Sequence, residues 1–62
     1  MTTHYKSRFP ALWYACIAPG QWSIFDNSDG QMAQVGPIYG SRIELLADLQ
    51  RFADERGFYS VN

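Results

Sequence analysis

Three aromatic-rich stretches with strand character precede a single amphipathic helix, and that imbalance limits what this chain can build. The strand candidates are Ala11–Ala18, Gln21–Asp26 and Gln31–Val35, and the helix candidate runs from Ser41 to Arg56. One helix covers one face of a small sheet, so the other face needs a cover from the chain itself or from a partner.

Turn chemistry separates the candidates. Pro10 biases Phe9 toward extended geometry and marks the start of structure. Residues 1–10, polar and mildly basic, read as a flexible lead-in, which leaves 11–62 as one small domain. Pro19-Gly20 suits the centre of a type II turn. A two-residue connection there sets Ile17 against Trp22, Ala15 against Ile24 and Tyr14 against Phe25. The next turn lies within Asp26-Asn27-Ser28-Asp29-Gly30, where Asp-Gly is a hairpin signal. An even loop aligns Ile24 with Ala33 or Val35 and keeps apolar residues on one side, whereas a one-residue slip would flip every side chain. This parity assigns Trp13, Ala15, Ile17, Trp22, Ile24, Ala33 and Val35 to the core face. Leu12, Tyr14, Cys16, Ser23, Phe25, Met32 and Gln34 fall on the other.

The helix is marked at both ends. Ser41 and Glu44 have the spacing of a capping box. Leu45, Leu46, Leu49, Phe52 and Ala53 fall on one side at helical periodicity, with Glu44, Asp48, Arg51 and Glu55 opposite. Gly57 suits a left-handed C-terminal position, followed by Phe58 as its hydrophobic contact. Gly36 to Gly40 reads as a connector from sheet to helix. The expectation is therefore an α+β fold, a three-stranded antiparallel β-meander followed by one C-terminal α-helix on one face. The alternation in Phe58–Val61 makes the C-terminus the candidate for a short fourth strand.

Chemistry-bearing residues are few. His4 is the only histidine and Cys16 the only cysteine, and they lie far apart in sequence. A nucleophilic cysteine needs a base within hydrogen-bond reach, and Cys16 reads instead as a small core residue. One His and one Cys do not make a zinc site. The aspartates before Gly30 lack the spacing of a calcium loop, and the glycines are too scattered to cradle a phosphate. No enzyme activity, metal or cofactor is expected. The chain shows no charged-then-apolar leader and no apolar run long enough to span a bilayer, and with a single cysteine it reads as a soluble, cytoplasmic protein.

Charge is unevenly spread: residues 1–25 carry +2 and residues 26–62 carry −3, for a net −1. The near balance disfavours a dedicated nucleic-acid binder, while the acidic half suggests a patch for a basic partner surface. Tyr14, Phe25 and Met32, extended by Leu12, read as an apolar row across the second face. Either the chain's termini cover that row or a partner does.

The expected function is a small protein-binding module, an inhibitor or regulator of a larger host complex, nucleic-acid-handling complexes included. It would dock through Leu12, Tyr14, Phe25 and Met32, or by presenting Glu44, Asp48 and Glu55 to a basic surface. Single-stranded nucleic acid stacking on the same aromatics, and a homodimer burying them, are the alternatives. No motif identifies a family. In format the chain resembles small phage- or plasmid-encoded inhibitors that occupy a host protein's surface, a likeness of kind with no shared residues behind it.

Overall fold

The Pro19-Gly20 turn forms as its chemistry dictates, with Gly20 at φ 70° and Ala18 opposite Gln21. It joins the two central strands of the fold. The computed structural model describes residues 2–59. Strands β1 (Tyr5–Lys6), β2 (Leu12–Ala18), β3 (Gln21–Asp26) and β4 (Ala33–Tyr39) make one antiparallel sheet in the order β1-β2-β3-β4, followed by helix α1 (Arg42–Arg56). The α+β meander-then-helix architecture is the expected one, and the sheet has a fourth strand. That strand comes from the N-terminal segment. Phe58 and Tyr59 lie outside any strand, and the remainder of the proposed C-terminal strand lies outside the described residues. The strand after the second hairpin begins at Ala33, two residues later than expected, and continues through the supposed connector to Tyr39.

The register of the first hairpin differs from the two-residue-turn expectation. Beyond Ala18 the pairing shifts, so Cys16 rather than Ile17 faces Trp22, Tyr14 faces Ile24 and Trp13 faces Phe25. Ile17 is the extra residue of a β-bulge. A Pro-Gly type II turn has a twist mismatched to its flanking strands, and a bulge beside it absorbs the mismatch by bending one strand. The consequence runs the length of β2, because a one-residue slip exchanges its faces. Leu12 and Tyr14 lie under the helix, whereas Trp13 and Ala15 point away from it.

At the second hairpin the parity expectation holds, with Ile24 opposite Val35 and Asp26 opposite Ala33. The connecting loop is longer than expected, running over residues 27–32, so Met32 sits in the loop and Gln34 stands opposite Phe25. Asp26 Oδ1 accepts the Ser28 N–H at 2.8 Å and Asp29 Oδ1 accepts the Gln31 N–H at 3.1 Å, which holds the loop closed. A second irregularity follows, since Trp22 pairs with Tyr39 and leaves Gly36, Pro37 and Ile38 opposite Ser23. Gly36 adopts φ 75°, and a Cβ there would lie 2.5 Å from Phe52 Cε2. Only glycine supplies both that backbone and that clearance.

Helix α1 has the caps its sequence announces. Ser41 Oγ accepts the Glu44 N–H at 3.1 Å, while Glu44 Oε2 accepts the Gly40 N–H at 2.9 Å. At the other end Gly57 is left-handed at φ 79°, and Phe58 N–H reaches Ala53 O at 2.9 Å in a Schellman arrangement. Its buried side chains, Leu45, Leu49, Phe52 and Ala53, pack on Leu12, Tyr14 and Ile24, with Trp22, Val35, Tyr39 and Phe58 at the margin.

Phe9 completes this core at 1% exposure, although it belongs to the supposed lead-in. Leu12 N–H donates to Phe9 O at 2.9 Å, and Ser7 Oγ lies 2.6 Å from Leu12 O and accepts the Phe9 N–H at 3.1 Å. That small web turns the chain from β1 into β2 and drives the ring inward.

Candidate functional site

The residues expected to form one binding row are divided among three places. Leu12 and Tyr14 are buried beneath α1, which removes both from any open sheet face. Phe25 lies on the opposite face, and Met32 lies in the loop.

The face away from the helix carries Trp13, Ala15, Ser23 and Phe25. It is covered in part by the chain's own N-terminal segment. The His4 ring meets the Phe25 ring edge-on at 4.7 Å, and Lys6 Nζ sits 5.6 Å from the Trp13 ring centroid. Phe25 retains only 8% exposure, and Ala15 and Ser23 retain none. Ser23 Oγ has no hydrogen-bond partner among the described residues. Cys16, expected in the core, is exposed, with Sγ 3.1 Å from Ala18 O. The bulge places it on the helix side of the sheet, opposite to the face that carries His4. Among the described residues no group of three or more His, Cys, Asp and Glu could hold a metal ion. Nor, among the described residues, is any helix long and apolar enough to cross a membrane.

The acidic set forms a real stripe, on the flank of α1 that faces β4. Each of its carboxylates is engaged within the chain. Asp48 accepts from the Tyr39 hydroxyl at 2.5 Å and from Arg51 Nε at 2.7 Å, while Arg51 also reaches Glu55 at 2.7 Å. The Arg51 bond, and after it the Tyr39 bond, hold the Asp48 carboxyl below its ordinary range. Burial first, then the Asp48 bond and charge, push the Tyr39 hydroxyl up to about 12. Glu44 is engaged by Gly40 N–H. The stripe is anionic, with Arg51 neutralising part of it.

The other flank of α1 holds a site that the sequence reading missed. A groove of about 300 Å³ opens between the β1 segment and the helix, lined by Lys6, Ser7, Arg8, Tyr14, Leu46 and Leu49. Tyr5 stacks on Tyr14 at 5.6 Å between centroids, which extends the apolar wall. Leu46, expected in the core, remains 39% exposed beside the groove. Ile43, one turn before it on the helix, is 80% exposed. On the rim, an Arg8 guanidinium N–H donates to Gln50 Oε1, and Gln50 Nε2 in turn donates to Asp54 at 2.8 Å. The ion pairs among the described residues all belong to Arg51, so neither Lys6 nor Arg8 has a carboxylate partner there.

The groove is non-local, because it exists only when Tyr5–Lys6 pairs with Trp13–Tyr14. One signal pointed to that pairing: Tyr5, Ser7 and Phe9 alternate with Lys6 and Arg8, a short period-two pattern ahead of Pro10. Comparison with known proteins finds no family model, no curated protein and no solved structure that matches this chain.

Proposed function

We propose that this chain is a non-enzymatic protein-binding module, an inhibitor or regulator that works by occupying a partner's surface. The observation that carries the reading is the β1–α1 groove. It combines an apolar floor from Tyr14, Leu46 and Leu49 with the exposed Tyr5 ring stacked on Tyr14 and the exposed Ile43 one helical turn before Leu46. Apolar side chains gathered at one concave place are the usual anchor sites of protein interfaces. Tyr14 and Leu49 also belong to the core with Phe9, Leu12, Ile24, Leu45 and Phe52, so the floor is held rigidly, whereas Leu46 and Ile43 lie outside that core. Their exposure is available for binding.

Quantitative capture tests the reading. The wild-type chain and a Leu46→Glu variant are immobilised at equal density, after circular dichroism has confirmed that both fold. Proteins retained by the wild type and lost by the variant are the expected result. Identical retained sets from the two baits would contradict it.

A further inference from the structure

We propose that the β1–α1 groove takes an extended peptide segment of a partner protein, one that carries a bulky apolar side chain close to a carboxylate. This rests on the protein-binding reading and adds the chemistry of the occupant. The floor selects the apolar side chain. Tyr14, Leu46 and Leu49 line it and the stacked Tyr5 ring extends it, so an inserted side chain leaves water against apolar surface on several sides. At about 300 Å³ the groove lies at the bottom of the range for small-molecule pockets. That size suits one or two side chains.

The rim selects the carboxylate. Arg8 donates to the neutral Gln50 Oε1, its guanidinium lies over the Phe9 ring at 5.2 Å, and no carboxylate among the described residues pairs with it. A guanidinium has five donors in a planar fork, so several remain for a bidentate carboxylate. Lys6 belongs to the same wall, but its ammonium lies over Trp13 on the opposite face of the sheet, so Arg8 is the cation of the rim. The chain's own acidic stripe, Glu44, Asp48 and Glu55, lies on the far flank of α1, and the one carboxylate of the rim, Asp54, is engaged by Gln50, which leaves Arg8 without an anionic partner among the described residues.

The wall selects the extended backbone. In the sheet order β1 is an edge strand, so the outer side of Tyr5–Lys6 offers main-chain groups to an added strand. A strand added there would present alternate side chains toward the groove floor.

Selection from a library of random peptides displayed on phage, with the immobilised full chain as bait, tests the proposal. Enriched sequences should pair Asp or Glu with a bulky apolar residue. A synthetic peptide made from the leading sequence should bind roughly tenfold or more weakly to Leu46→Glu and to Arg8→Glu. Replacing its carboxylate with lysine should restore binding to Arg8→Glu. Both substitutions fall at exposed positions, and Leu46→Gln serves if the glutamate disturbs the fold. Peptides that depend on Leu46 but show no acidic preference would overturn this inference and leave the protein-binding reading standing. No enrichment, or binding indifferent to Leu46→Glu, would overturn both. Sedimentation supplies the last outcome. A concentration-dependent dimer dispersed by Leu46→Glu would make a second copy of the chain the occupant and overturn the peptide assignment.

Discussion

Replacing Gly36 with alanine probes the contact between β4 and the helix at its tightest point. Two costs combine there. The backbone stands at φ 75°, and an L-residue in that region pays roughly 1–2 kcal/mol. The added Cβ would lie 2.5 Å from Phe52 Cε2, against an ordinary carbon contact of about 3.5–4.0 Å. Phe52 is 4% exposed, so its ring has little room to retreat, and overpacking of this kind costs about 1–3 kcal/mol. The expected loss is therefore about 2–5 kcal/mol, set against a total stability of roughly 3–9 kcal/mol for a chain of this length. Gly30→Ala is the matched control, with φ 85° and nothing within 4 Å of its Cβ, so it isolates the backbone cost. Urea unfolding followed by tryptophan fluorescence compares the two variants. Gly36→Ala should be the more destabilised by the steric share, and Phe52→Leu should recover part of the difference. Equal losses at the two glycines would refute the packing of β4 against Phe52.

Three more perturbations test other parts of the fold. Ser23→Ala removes a fully buried hydroxyl without a partner, whose desolvation costs about 1–3 kcal/mol; a gain near 1 kcal/mol is expected, and a clear loss would reveal a hydrogen bond to that oxygen. Phe9→Ala should cost about 3–5 kcal/mol, enough to unfold much of the population, and an unchanged urea midpoint would place Phe9 outside the core. Tyr39 titrates at about 12 in the fold against 10.0 ordinarily, so the fold favours its protonated form; that stabilisation is complete below pH 10 and fades as pH rises toward 12. The stability advantage of wild type over Tyr39→Phe should shrink across that window, and a constant difference would contradict the Tyr39–Asp48 assignment.

The helix was legible because its signals are local. Ser41, Glu44, Gly57 and Phe58 each act within a turn of the helix end, and all four take their expected roles. The second hairpin was legible in parity, since only one alternation lets Ile24 meet Val35, though the length of its loop was not. The first hairpin was misread at Ile17. A bulge there costs one residue of register and leaves no mark in composition, so the alternation of β2 was correct in period and inverted in phase. Leu12 and Tyr14 therefore moved from the supposed binding face into the core. Phe9 and Tyr5 were missed because a two-residue strand depends on a distant partner, which local propensity does not encode. The groove inherits that difficulty, being assembled from β1, β2 and α1.

The groove exists only if Tyr14 lies under the helix and forms its floor. Side-chain nuclear Overhauser effects in a uniformly labelled sample test it directly. Contacts from the Tyr14 ring to Leu46, Leu49 and Tyr5 are predicted, with Trp13 instead contacting Lys6 on the opposite face. Contacts from the Tyr14 ring to Phe25, together with Trp13 against the helix, would restore the unbulged register and remove the groove.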